Sequence, residues 1–141
     1  MCLIVKKGTK EKIAKNDIVC YKNVFLAGSG RIISNIQDFE YKLGKLYTAT
    51  FSIVDDKLEL AMNCWWADDI SALKYSKYFI KQRTSDLVAY NRGFHSYKSR
   101  ERDGYNRIPN VECTIPKGTK YIEDETGLIC SEAIIITKIL E

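Results

Sequence analysis

The chain has 141 residues, 45% hydrophobic and 28% charged, enough for one buried core and too few for two. Its 22 Lys and Arg against 18 Asp and Glu leave a formal charge of +4, too mild to argue by itself for DNA or an anionic membrane as partner. The longest apolar stretches, such as Ala133 to Ile136, fall far short of a bilayer span, so one unanchored domain over residues 1–141 is expected.

In chain order, Cys2 to Val5 is a short apolar run ended by Lys6-Lys7-Gly8, and Asp17 to Leu26 mixes β-branched, aromatic and alternating residues; both predict strands. The Ala27-Gly28-Ser29-Gly30 turn lets Arg31 to Ser34 return antiparallel. Leu46 to Val54 alternates, and after Asp55-Asp56-Lys57 the run Leu58 to Met62 continues, which predicts a hairpin. From Asp68 the period changes: Ile70, Leu73, Lys74, Lys77, Tyr78 and Lys81 fall three or four apart, with acids first and bases last. That spacing predicts one helix over residues 67–82. Asp86 to Tyr90 and Gly93 to Tyr97 are expected to be extended, Ser99 to Gly104 a polar turn, and Val111 to Ile115 a strand. Pro116-Lys117-Gly118 has turn chemistry, and after Tyr121-Ile122 and an acidic loop the chain closes on the strand Ala133 to Leu140. Many short strands with one principal helix predict an α+β domain with mostly antiparallel sheet.

The five cysteines are widely spaced, odd in number and without a C-x-x-C pair, and the amino terminus carries no signal-peptide apolar region. Reducing cytosol is the expected compartment. Cys20 and Cys113 sit in alternating or apolar runs and are expected to be buried thiols. With a single histidine, no metal or cofactor site is expected.

The densest chemistry lies between Tyr90 and Arg107. There Arg92, Lys98, Arg100, Arg102, Arg107 and the only histidine, His95, lie among Tyr90, Phe94, Tyr97 and Tyr105. Cations give affinity for phosphate or carboxylate, and aromatic faces stack on a base or sugar. His95 has the one side chain whose ordinary pKa makes it an acid or base near neutrality. In Trp65-Trp66, adjacent residues of an extended strand face opposite sides, so one of the two, such as Trp66, would be left at a surface to stack on a ring.

The order Tyr41-x-x-Gly44-Lys45-x-Tyr47, Gly93-Phe94-His95, Ile115-Pro116-x-Gly118-x-x-Tyr121 and Ser131-x-x-Ile134-Ile135-Ile136 resembles an uncharacterised domain of phage and prophage proteins. The resemblance covers most of the chain and departs from the family's Val-Ala-Ser at Ile129-Cys130-Ser131. It implies a viral or mobile-element accessory protein in a bacterial cytoplasm, and carries no activity with it. A second resemblance is to ADP-ribosyltransferases, through the order of Tyr21-Lys22, Gly93-Phe94-His95-Ser96 and Glu132. It would make His95 and Glu132 catalytic residues of an NAD-using enzyme. Lys22 stands where that family has Arg or His, and Cys130 where it has a second acid or Gln.

The expected function is capture of a nucleotide-like anionic small molecule by Arg92, His95, Tyr97, Arg100, Arg102 and Trp66. The alternatives are the NAD-using enzyme and a module that binds a host protein. Nucleic acid is a less favoured partner, and its mark would be a steep salt dependence.

Overall fold

The computed structural model describes residues 3–6, 8–34, 39–54, 87–101 and 107–140. In chain order its strands are β1 (Leu3–Lys6), β2 (Lys12–Ile13), β3 (Ile18–Lys22), β4 (Val24–Leu26), β5 (Ile32–Ser34), β6 (Glu40–Tyr41), β7 (Leu46–Thr48), β8 (Ser52–Val54), β9 (Leu87–Arg92), β10 (Phe94–Tyr97), β11 (Val111–Ile115), β12 (Lys120–Glu123), β13 (Leu128–Ser131) and β14 (Ala133–Ile139). Every regular element among the described residues is a strand, and every pairing is antiparallel. This corrects the expected α+β class: the described fold is all-β. The helix expected over residues 67–82, the strand expected over 58–62, and Trp65 and Trp66 lie outside the described residues.

An eight-stranded sheet runs β2-β12-β13-β10-β3-β11-β14-β7, flanked by three-stranded sheets β1-β9-β8 and β4-β5-β6. The period-two pattern explains the centre. In β11, Val111, Cys113 and Ile115 are fully buried, with Glu112 and Thr114 half-buried between them; in β14, Ile134 and Ile136 point inward. Successive strand residues face opposite sides, so the core side of each strand can be read from its apolar register. Full burial of each such aliphatic side chain stabilises the fold by roughly 1.5–3 kcal/mol.

The expected single strand over residues 46–54 is two strands in two sheets. β7 pairs with β14 and β8 with β9, and the second arm of the expected hairpin, over 58–62, lies outside the described residues. Between them the chain is tied to the bend that separates β13 from β14: Ala49 N–H donates to Glu132 O at 2.9 Å, and Phe51 N–H to Glu132 Oε2 at 2.9 Å. β9 likewise runs through Gly93 into β10. Following pairs β14-β7, β8-β9, β10-β3, β3-β11 and β11-β14 returns to the starting strand. The chain thus crosses twice between the eight-stranded sheet and the β1-β9-β8 sheet, at residues 49–51 and at Gly93.

The residues that carry the phage-domain pattern have visible structural work. Gly44 turns at φ +75° and donates to Ile136 O at 2.9 Å. Lys45 Nζ lies 5.3 Å from the Tyr47 ring centre. Tyr47, Tyr41 and Phe39 meet edge to face at centroid distances of 4.8–5.2 Å, a favoured aromatic geometry that packs β6 against β7. Gly93, at φ +128°, has room for no side chain: an added Cβ would lie 2.7 Å from Cys130 Sγ and 3.2 Å from Ser131 O.

Candidate functional site

The cationic and aromatic segment does not converge on one point. Arg92 ends β9 on the surface, opposite Ser52. Tyr97 is half-buried, opposite Leu128 on one side and Tyr21 on the other. Arg100 is exposed, but its guanidinium turns back on the fold: Nε donates to Pro109 O at 3.3 Å and Nη2 to Leu140 O at 3.4 Å. Arg102 and Trp66 lie outside the described residues. Glu132 sits at the bend before β14, its Oε2 occupied by the Phe51 N–H.

His95 faces inward at 9% exposure, and its Nε2–H donates to Tyr90 O at 3.2 Å. Burial, reinforced by the nearby Lys22 charge, depresses its pKa to about 3, because an imidazolium there would lose its hydration next to a like charge. Lys22 is half-buried as a residue, yet its ammonium is deep enough for desolvation to pull its pKa below the ordinary lysine value. It donates to His95 O at 2.7 Å.

On the opposite face of the sheet from His95, in a separate core cluster, Cys20 on β3 and Cys113 on β11 are Cα partners, both fully buried. A hydrogen bond from the Cys113 thiol lowers the Cys20 pKa against the opposing effect of burial, with Ser96 and Lys22 adding to the lowering. The same bond, with burial, raises that of Cys113. Cys130, opposite His95, is the third buried thiol, and its Sγ donates to Arg92 O at 3.7 Å. His95 and Cys130 on one face and Ser96, Cys20 and Cys113 on the other are chemically rich but buried.

An open groove lies elsewhere. β2 pairs with β12 so that Lys12 is opposite Tyr121, and opposed residues of antiparallel strands share a face. Past β2 the chain is laced to the 116–119 turn. Ala14 N–H donates to Thr119 O at 2.9 Å, Gly118 N–H to Ala14 O at 2.8 Å, and Lys117 N–H to Asp17 Oδ1 at 2.8 Å. Gly118 adopts φ +87°, which lets the turn after Pro116 close tightly. The result is a groove of about 690 Å³ walled by Lys12, Lys15, Ile13, Ile18 and Tyr121, within the usual size of small-molecule sites, about 300–1,000 Å³.

Lys12 and Lys15 are exposed, and neither has an ion pair among the described residues. Lys120 on β12 and Lys98 after β10 do, with Glu11 at 3.7 Å and Glu123 at 3.5 Å. Asp17 also lines the groove, but its Oδ1 is engaged by the Lys117 N–H. Sequence reasoning missed these residues. The trace they leave is the density of Lys6, Lys7, Lys10, Lys12 and Lys15 around a single acid, Glu11. Comparison with protein-family models, curated proteins and solved structures finds no match for this chain.

Proposed function

We propose that the protein captures a small, ring-bearing anion of nucleotide-like chemistry in the groove between residues 12–18 and Tyr121. The observation that carries this reading is that two ammonium groups lacking carboxylate partners among the described residues line one cleft with Tyr121, Ile13 and Ile18. The lysines supply charge-assisted hydrogen bonds to phosphate or carboxylate oxygens. Tyr121 supplies a stacking surface, an arrangement that for bases contributes about 1–3 kcal/mol. Capture needs no reacting group. The NAD-using alternative would draw on His95 and Glu132, whose Nε2–H and Oε2 are already committed to backbone atoms, so binding is the preferred reading. Under the phage-domain resemblance, the setting would be a bacterial host's cytoplasm and the role sequestration of a host nucleotide.

Calorimetric titration with ATP, AMP and inorganic pyrophosphate tests this directly. Saturable binding of a ring-bearing nucleotide is expected, weakened about tenfold or more in Lys12→Ala/Lys15→Ala, a loss of about 1.4 kcal/mol. Binding indifferent to the double substitution, or no binding of any of the three, would overturn the assignment. Pyrophosphate binding as strongly as ATP would remove the ring from it.

A further inference from the structure

Cys20 and Cys113 face each other directly across β3 and β11, both free and both fully buried. Opposed residues of an antiparallel pair stand about 4.5–5.5 Å apart at Cα, inside the window of about 4.4–6.8 Å that a disulfide spans. Beside Cys113 the ladder is irregular. The β11–β14 register shifts between Glu112 and Cys113, which lie opposite Lys138 and Ile136. Thr137 is therefore an extra residue, and its Oγ1 donates to Glu112 O at 3.0 Å. Such a bulge bends the strand and increases local twist, relaxing the flat geometry that makes cross-strand disulfides difficult.

A third group is aimed at the pair. Ser96 is fully buried and its Oγ makes no hydrogen bond, yet it lies close enough to the Cys20 sulphur to favour the thiolate there. A buried hydroxyl without an acceptor is costly and calls for explanation; an anionic sulphur at Cys20 would supply the acceptor. Lys22, two residues along the same strand, adds a positive charge on the same side of the balance.

We propose that Cys20 and Cys113 are an oxidative modification site, Cys20 reacting with a small hydroperoxide such as hydrogen peroxide and Cys113 resolving the product into a cross-strand disulfide. The Cys20 thiolate attacks one peroxide oxygen; the S–O bond forms as the O–O bond breaks, and the leaving hydroxide takes up a proton to become water. The Cys113 sulphur, giving up its proton, then displaces hydroxide from the sulfenic Cys20. The S–S bond forms as the S–O bond breaks, and a second water leaves. Two thiols lose two electrons and the peroxide gains them. Hydrogen peroxide is close to water in size, so it needs only local opening of the sheet, whereas a bulky disulfide oxidant would need much more.

The test is to treat the folded protein with hydrogen peroxide, alkylate the remaining thiols under denaturing conditions, and map the peptides by mass spectrometry. A Cys20–Cys113 linkage is expected, with Cys130 still alkylated. In Cys113→Ser, Cys20 should be trapped by dimedone as the sulfenic acid, and Ser96→Ala should slow linkage at least threefold. Cys20 and Cys113 both still reduced after peroxide has oxidised other thiols, or either one linked to a different cysteine, would overturn the proposal. The wild-type peptide map decides it even if a variant does not fold.

Discussion

His95 makes the stability of this protein depend on pH in a range where few other groups titrate. Its ordinary pKa of 6.5 falls to about 3 in the fold, so the native state holds the imidazole neutral while the unfolded chain takes up a proton. The stability this difference represents is fully present above pH 6.5 and is lost as pH falls toward 3. The two values differ by about 3.5, worth about 5 kcal/mol at about 1.4 kcal/mol for each. Most of the accessible effect comes early. Between about pH 7.5 and about pH 5 the unfolding free energy should drop by about 2 kcal/mol, with uptake of close to one proton on unfolding. Denaturant titrations followed by far-ultraviolet circular dichroism at several pH values measure it, and the imidazole proton resonance reports the native group separately. There is one histidine in the chain, so neither signal is shared with another imidazole. His95→Gln keeps an N–H to donate toward Tyr90 O without a titratable proton, and should flatten the profile over that range. A native imidazole titrating near 6.5, or the same slope in His95→Gln, would refute the reasoning.

Two further pairs of substitutions test how the crossings between the sheets are held. Gly93→Ala should destabilise by about 2–4 kcal/mol, because a Cβ at φ +128° would press on Cys130 Sγ and Ser131 O. Gly118→Ala, at φ +87° with open space around it, should cost only about 1 kcal/mol; equal midpoints in a denaturant series would show that crowding at Gly93 is not what matters. Glu132→Ala removes the acceptor of the Phe51 N–H and should cost about 1–3 kcal/mol. Glu132→Gln, which keeps an oxygen there, should lose less than about 1 kcal/mol, and the order of the two variants in thermal unfolding decides whether the acceptor or the charge holds the crossing.

Local elements were legible where one physical rule governs them. The alternation of Val111, Cys113 and Ile115 and the glycine turn at residue 30 depend on neighbours in sequence, and β11 and the β4-β5 hairpin follow. The division of Leu46 to Val54 between two sheets was not legible in the same way, because alternation marks a strand without naming its partner. The partners are β14 and β9, distant in the chain, and the switch between them rests on Glu132, far away in sequence. The same limit scattered the expected binding cluster. Density between Tyr90 and Arg107 implied convergence, but on a strand consecutive side chains diverge. His95 went inward, Arg92 stayed on the surface and Arg100 bonded back to carbonyls near the carboxyl end. Conversely, the groove draws on β2, the start of β3 and β12, so no contiguous motif could announce it.

What the phage-domain pattern carries becomes clearer from where its residues lie. Gly44, Tyr47, Gly93 and Ser131 build turns, aromatic packing and the two crossings. Residues under such constraints specify an architecture and say little about chemistry. Among the pattern's residues, Tyr121 is the one that also walls the groove. Its half-buried ring is held by the β12 register opposite Lys12 and Ser131, whereas Lys12 and Lys15 stand outside the pattern on a short edge strand and the loop after it. Under the proposed capture, the ring held in the sheet would supply stacking and the two exposed lysines the charge.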